Sequence, residues 1–338
     1  VTDLIAFCSA ELPRFNAISV SGYHIREAGS TAAQEVGFTL ANGIAYVQAV
    51  QQAGIEVDRF AKRISFFFAA HNDLFEEVAK YRAARRMWAR IMRERFGASA
   101  AESTMLRFHV QTAGCSLTAQ QPQNNIVRVA IQALAATAGG AQSLHTNSFD
   151  EALGLPSQTA ATIALRTQQI LAHESGVANT IDPFGGSYFV EALTDRIEEE
   201  AQAYIDKIDE LGGAARAIEQ GYVQREIQEA SYRYQLEVEN RRRIVVGLNE
   251  YFSPGGEKPG VLKIDEQLET RQIERVRALR SERDVSAADK ALRELSAVAR
   301  TGENLMPSIL NAVKSYCTIG EMAGVLREVF GEHKESLS

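Results

Sequence analysis

Between residues 17 and 173 the chain repeats one unit four times: a short apolar run, a polar segment holding a histidine, and a stretch with helical periodicity. His24, His71, His109 and His145 each fall at or just beyond the end of an apolar run, at spacings of 47, 38 and 36 residues. That is the size of a strand–loop–helix unit. Strand alternating with helix in this way predicts an α/β fold with a parallel sheet and right-handed crossovers. In α/β barrels the chemistry sits at the C-terminal ends of the strands. A polar group delivered repeatedly to that rim predicts one shared pocket.

The first unit has a strand at 17–20 (AISV), a polar loop SGYHIREAGS and a helix over 31–52. Val36, Leu40, Ile44 and Val47 form its buried stripe, and Ser30 or Thr31 is the expected N-cap. The second strand is 64–69 (ISFFFA). Its helix carries Leu74, Val78, Tyr81, Ala84, Trp88 and Ile91 on one face, and its basic stretch 80–95 reads as a solvated face without function. The third strand is 106–111 (LRFHVQ), followed by a helix over 126–138 that Gly139-Gly140 stops. The fourth centres on 142–145, with a helix over 158–173. From Tyr188 onward the pattern is helical, apart from a turn-rich break at 253–260 and one short strand candidate at 261–264. This divides the chain into an α/β part, 1–180, and a helical part, 181–338.

A net charge of −7 argues against a nucleic-acid or membrane-surface binder. Cys8, Cys115 and Cys317 are widely spaced and form no CxxC pair, which predicts a reducing, cytoplasmic compartment rather than a disulfide framework or zinc knuckle. No apolar run approaches the ~20 residues of a membrane span.

Several polar residues sit where this fold would place chemistry. His24, beside Tyr23, can donate to a carbonyl oxygen. Arg63 and Ser65 share a face at the start of a strand and suit a phosphate or carboxylate; the alternative for Arg63 is to close the bottom of a barrel. His109 and Gln111 also share a face, and Gly114 lets a ligand approach the backbone. Gln142, Ser143, His145, Asn147 and Glu151 crowd the fourth strand and its loop, where Asn147 or Asp150 is alternatively a helix cap. Four histidines on one rim also suit zinc, but no HxH pair or HExxH occurs.

The segments SVSGYHIREAGS, RISFFFAAHNDLFEEVAKYRAARRMWA, LRFHVQTAGCSLTAQQPQNN, QSLHTNSFDEALGLP and RTQQILAHESGVANTIDPFGGSYFVE resemble the large, catalytic subunit of the methylmalonyl-CoA mutase family, the adenosylcobalamin-dependent acyl-CoA mutases. The resemblance continues to LMPSILNAVKSYCTIGEMAGVLREVFG and so covers essentially the whole chain. It implies the second half of a TIM (β/α)8 barrel, four βα units, followed by a mostly helical region. It also implies a radical 1,2-rearrangement of a short-chain acyl-CoA of the methylmalonyl, isobutyryl or 2-hydroxyisobutyryl type. By this resemblance His24 and Tyr23 are catalytic, and Arg14, Arg63, Ser65, Gln142 and Ser143 hold the CoA substrate. His109, Gln111, Gly114, Asn147 and Glu151 would line the cofactor rim. Gln123 departs from the family, whose members often carry Tyr in the QxYNN stretch.

The chain starts at Val1, directly in a helical stretch, and no D-x-H-x-x-G occurs to supply the lower cobalt ligand. The expectation is an oligomeric enzyme whose first barrel half is absent here and whose cobalamin domain lies on a separate small subunit, with no metal ligand on this chain. Two other readings stand beside it: a truncated chain that binds CoA or a partner without turnover, and a metal-dependent barrel hydrolase.

Overall fold

The computed structural model describes residues 1–253 and 260–333. In chain order its first elements are α1 (Thr2–Glu11), β1 (Ile18–Ser21), α2 (Tyr23–Glu27), α3 (Ala32–Gln52), α4 (Val57–Phe60), β2 (Ile64–Ala70) and α5 (Leu74–Glu94). Then come β3 (Phe108–Thr112), α6 (Asn124–Ala138), β4 (Ser143–His145), α7 (Gln158–Glu174), α8 (Tyr188–Glu210), α9 (Ala214–Glu219) and α10 (Tyr222–Glu239). The last four helices are α11 (Gln267–Glu282), α12 (Val285–Ala299), α13 (Met306–Lys314) and α14 (Ile319–Phe330). The strand candidate at 261–264 is not a strand, and most of the break at 253–260 lies outside the described residues. Among the described residues no helix is long and apolar enough to cross a membrane.

The chain forms two compact units, Asn16–Leu262 and Val1–Phe15 with the chain from Lys263 on. In the larger, the four strands are all parallel and ordered β1-β2-β3-β4. Val20, Phe66, Phe68, Phe108 and Val110 alternate onto one face and are buried. Trp88 and Tyr81 of α5 close over them, with Trp88 edge-on to Phe66 at 4.8 Å and Tyr81 stacked on Phe108 at 5.1 Å. The other face carries Ser19, Ser21, Ser65, Phe67, His109 and Gln111, half-buried or exposed. One apolar and one polar face therefore set the site on the polar side.

Local chemistry explains where the helices begin. Thr31 and Gln34 form a reciprocal capping box at α3, and Asp73 and Ser157 cap α5 and α7. Ser157 thus takes the capping role considered for Asn147 and Asp150. The polar segment SGYHIREAGS is not all loop: α2 is one turn of helix inside it. The basic stretch of α5 is not a solvated face either. Lys80 has no exposed surface, and Arg82, Arg86, Arg90 and Arg95 pair with Asp182, Glu191, Asp195, Glu198 and Asp209 on or before α8. Helix α8 therefore packs on α3 and α5, in the same unit as the sheet.

The smaller unit is helical. Ala288, Ala291 and Leu295 of α12 meet Ala312 of α13 and Met322 of α14 around Cys317. Asp3 of α1 accepts hydrogen bonds from Asn304 and from the Leu305 amide, both at 2.9 Å.

Candidate functional site

Strand register lines up the open face. Ser21 lies beside Phe67, Phe67 beside His109, and His109 beside Ser143, so one row crosses all four strands. The next row is Ala69, Gln111 and His145. His109 and Gln111 share this face because side chains on a strand alternate. In the row below, Ser65 pairs with Ser19 towards the strand N-termini and donates to the Ile18 carbonyl at 3.2 Å.

Two histidines are held in the same way. Ser21 Oγ lies 2.9 Å from His24 Nδ1, and Ser143 Oγ lies 2.8 Å from His109 Nδ1. In the tautomer in which the serine hydroxyl donates to Nδ1, the ring proton lies on Nε2 and faces a ligand. Burial, with His145 nearby, holds His109 below the usual imidazole range and so favours the neutral ring. His24 is edge-on to Phe67 at 6.0 Å, and Phe67 lies 5.1 Å from His109. One phenyl ring thus separates the two imidazoles.

A second group forms the rim at the strand C-termini. Gly114 faces Glu27, Asn147 and Tyr23: a Cβ there would stand 3.0, 3.1 and 3.7 Å from Glu27 Oε2, Asn147 Nδ2 and the Tyr23 hydroxyl. Glu27 accepts the Cys115 amide at 3.0 Å. Asn147 Oδ1 accepts from Gln111 at 2.9 Å, and its backbone N–H donates to Thr112 Oγ1 at 2.8 Å. Asn147 is buried, yet its Nδ2 lacks a hydrogen-bond acceptor of good geometry. Burial first, then Glu27, pushes the Tyr23 phenol up, against a weaker opposing effect of Asn147. Desolvation also pushes Glu151 up, although His145 opposes it. Desolvation, then Glu27, takes the Cys115 thiol up to about 12, so it is a protonated, poorly nucleophilic group. The rim offers amides, a phenol and a backbone that lets a ligand approach, and it suits a large ligand rich in amides and hydroxyls.

Other expected residues stand apart. Arg63 ends the turn before β2, half-buried, at the opposite end of the strands from His24. Arg14 is exposed and belongs to the smaller unit. The Gln142 amide is used by the backbone: it accepts from Phe108 N at 2.6 Å and donates to the Gly140 carbonyl at 2.9 Å. His71 does not join the other histidines. It lines a cavity of 660 Å³ with Arg26, Cys115, Tyr234 and Arg243, a cavity that His24, His109 and His145 do not touch. Three participants escaped the sequence reading: Ser21, Phe67 and Glu27. Glu27 lies three residues from His24, a spacing that signals a shared face only once that segment is taken as helical, whereas Ser21 ends β1 and meets His24 across the strand–helix turn. Among the described residues no group of three or more His, Cys, Asp or Glu side chains is placed to hold a metal ion.

Comparison with known proteins gives a consistent result. The family model described as methylmalonyl-CoA mutase matches residues 1–332. The methylmalonyl-CoA mutase of Escherichia coli (strain K12) is 47% identical over 334 residues, 98% of this chain and 47% of that protein. The 2-hydroxyisobutanoyl-CoA mutase large subunit of Aquincola tertiaricarbonis is 46% identical over 338 residues, 99% of this chain and 60% of that subunit. The mitochondrial methylmalonyl-CoA mutase of Homo sapiens is 43% identical over 336 residues, 99% and 45% respectively. The chain thus spans about half the length of the curated relatives it matches.

Proposed function

The chain belongs to the methylmalonyl-CoA mutase family, and from that premise we propose that it forms part of an adenosylcobalamin-dependent isomerase that rearranges the carbon skeleton of a short-chain acyl-CoA. The observation that carries this reading is the group of hydrogen-bonding side chains at the open sheet face, with His109 on β3 and His24 on α2 both bound through Nδ1 to serine. A radical rearrangement needs donors that hold a thioester without attacking it, in a site closed to water.

Adenosylcobalamin, when bound, supplies the radical that removes and returns a substrate hydrogen. The rim fits such a group: Asn147 Nδ2 is buried without an acceptor of good geometry, and Gly114 leaves space where a Cβ would meet Glu27 and Asn147. Gln111, Gly114, Asn147 and Glu151 would hold it, with His109 beneath. Tyr23 and His24 act on the substrate: the free Nε2–H of His24 donates to the thioester carbonyl, and Tyr23 orients the acyl group. Ser65, Arg63 and Ser143 line the path of the CoA chain, and Arg14 keeps the CoA-binding role that the family resemblance gives it. Gln142, whose amide bonds the Phe108 and Gly140 backbone, lies beside Ser143 and lines the substrate path with it.

We read the sheet as four of the eight strands of a barrel. Its strands are parallel and in chain order, helices cover one face, and β1 and β4 each have one strand neighbour among the described residues. On this reading residues 1–180 contribute to the acyl-CoA-binding barrel and 181–338 follow it. The remaining strands and a small cobalamin-binding subunit complete an oligomeric enzyme. Three free cysteines suit a reducing, cytoplasm-like compartment.

The test is turnover of methylmalonyl-CoA, isobutyryl-CoA and 2-hydroxyisobutyryl-CoA by the complete enzyme with adenosylcobalamin and the small subunit. Rearrangement of one ester is expected. CoA-ester binding with no rearrangement of any of them would favour the binding-only reading, which the open strand edges support; absence of both would sink the assignment.

A further inference from the structure

Helix α2 carries Tyr23 and His24 but is five residues long. One turn of helix does not hold its own direction, and its N-cap, Gly22, makes no side-chain cap. Its placement comes from what touches it, and those contacts converge on a buried charge cluster. The side chains of Lys80, Glu35 and Glu77 have no exposed surface. Lys80 Nζ donates to Glu35 at 2.6 Å, to the Ala69 carbonyl at 2.8 Å, and to Glu77. Glu35 also accepts the Ala69 amide at 2.7 Å. The cluster therefore grips the β2 backbone two residues beyond Phe67.

It also meets α2 at both ends. At the start, a Cβ on Gly22 would lie 2.3 Å from Thr39 Oγ1 and 3.0 Å from Glu35 Cγ. At the other end, Arg26 pairs with Glu76 at 3.3 Å and Glu77 at 3.5 Å, and donates to the Ser30 carbonyl. Buried charges that lose a partner are strongly disfavoured, so Glu35, Glu76 and Glu77 with Lys80 and Arg26 hold one arrangement rather than a range.

We propose that Arg26 is a positioning residue: through it the Glu35–Lys80–Glu77 cluster fixes α2 and sets where Tyr23 and His24 stand on the open face. Its kinetic consequence rests on the function proposed above, whereas the mechanical part rests on these contacts alone.

The experiment compares Arg26→Met and Arg26→Lys in the complete enzyme by amide hydrogen exchange and by kinetics. For Arg26→Met, exchange at residues 23–28 should quicken ~10-fold or more while α3 keeps its protection. Its kcat should fall about 10- to 100-fold with the KM for the acyl-CoA within about twofold, because misplacement of a catalytic group costs rate more than binding. Arg26→Lys should recover most of both. Exchange that quickens equally in α3 and α5, or not at all in α2, overturns the proposal, as does an unchanged kcat with a loosened α2. If the unaltered enzyme shows no turnover, the functional reading fails, and exchange at α2 still decides whether Arg26 fixes the helix. Should Arg26→Met not fold, Glu76→Gln removes one partner at the cluster's edge and gives the same comparison.

Discussion

The Tyr23 ring lies flat on Phe67, with centroids 4.8 Å apart and planes 4° from parallel. A residue of the one-turn helix α2 is thereby seated on the central row of the sheet. Such ring pairs contribute ~0.5–1.5 kcal/mol beyond the area they bury. Phe67→Leu is expected to lose about that much in urea unfolding and to weaken acyl-CoA binding. A variant with unchanged stability and affinity would show that the stack is incidental.

His24 has its Nδ1 engaged by Ser21, which leaves Nε2 for a ligand. His24→Ala should lower kcat by ~10²-fold or more if that nitrogen polarises the thioester carbonyl. Ser21→Ala should lower it less, because the ring keeps its place and loses only its preferred tautomer. Steady-state turnover checks both, and full activity in His24→Ala would remove this residue from the chemistry.

Among the described residues Lys80 is the one cation in ion pairs with both Glu35 and Glu77. Lys80→Met takes the paired cation from buried Glu35 and leaves Glu77 with Arg26, and should cost ~3–5 kcal/mol at neutral pH. Burial already pushes Glu35 up to about 7, against the pull of Lys80. Without Lys80 the folded form would hold its carboxyl protons more tightly than the unfolded chain. The penalty should therefore shrink as pH falls. Urea midpoints at pH 5 and pH 7.5 compare the two, and a penalty independent of pH would contradict the argument.

Burial, with Arg26 adding to it, pulls the His71 imidazole down to about 4. An unfolded histidine titrates near ~6.5. Between those values the unfolded chain carries the extra proton, so stability rises with pH across that window, by up to ~1.4 kcal/mol per unit. Above it His71 adds no further slope. His71→Gln should flatten the dependence in urea titrations from pH 4.5 to 7; an undiminished slope would assign it to other groups.

In the helical unit, Glu321 closes a capping box with Thr318 and accepts two bonds from Arg283, at 2.6 and 2.8 Å. The Arg283 bonds, more than those of Thr318, hold the carboxyl down at about 2. Its stabilising effect is complete above the ordinary glutamate value and is lost as pH falls through about 2. Thr318→Ala should cost ~1 kcal/mol at neutral pH. Glu321→Gln should remove the acid-side dependence between about pH 4.5 and 2. Thermal melts across that range measure both.

What the sequence made legible follows from which forces act locally. Apolar alternation is a property of neighbouring residues, so the four strands and their helices were readable to within a few positions. His109 and Gln111 share a face because they are two apart on a strand, and the structure keeps them together. Fates decided by distant partners were hidden. Arg82 and Arg86 look like a solvated face until α8 brings carboxylates to them. His71, like His109, follows an apolar run in the sequence, but it stands past the end of β2 and lines a cavity formed partly by α10. Helix α2 gives a loop-like signal because five residues show no periodicity, and its anchors, Glu35, Glu76 and Glu77, come from other elements.

The arginines of α5 act as a vernier. Arg82, Arg86 and Arg90 recur at one-turn intervals, and their acids Glu191, Asp195 and Glu198 ascend in the same order, so the two helices run side by side in the same direction. Sliding α8 by a turn would shift every pair together and leave a charge unmatched at each end. Apolar burial alone fixes such a position less sharply, because it is non-directional. The charged seam therefore specifies an axial position as well as an attachment.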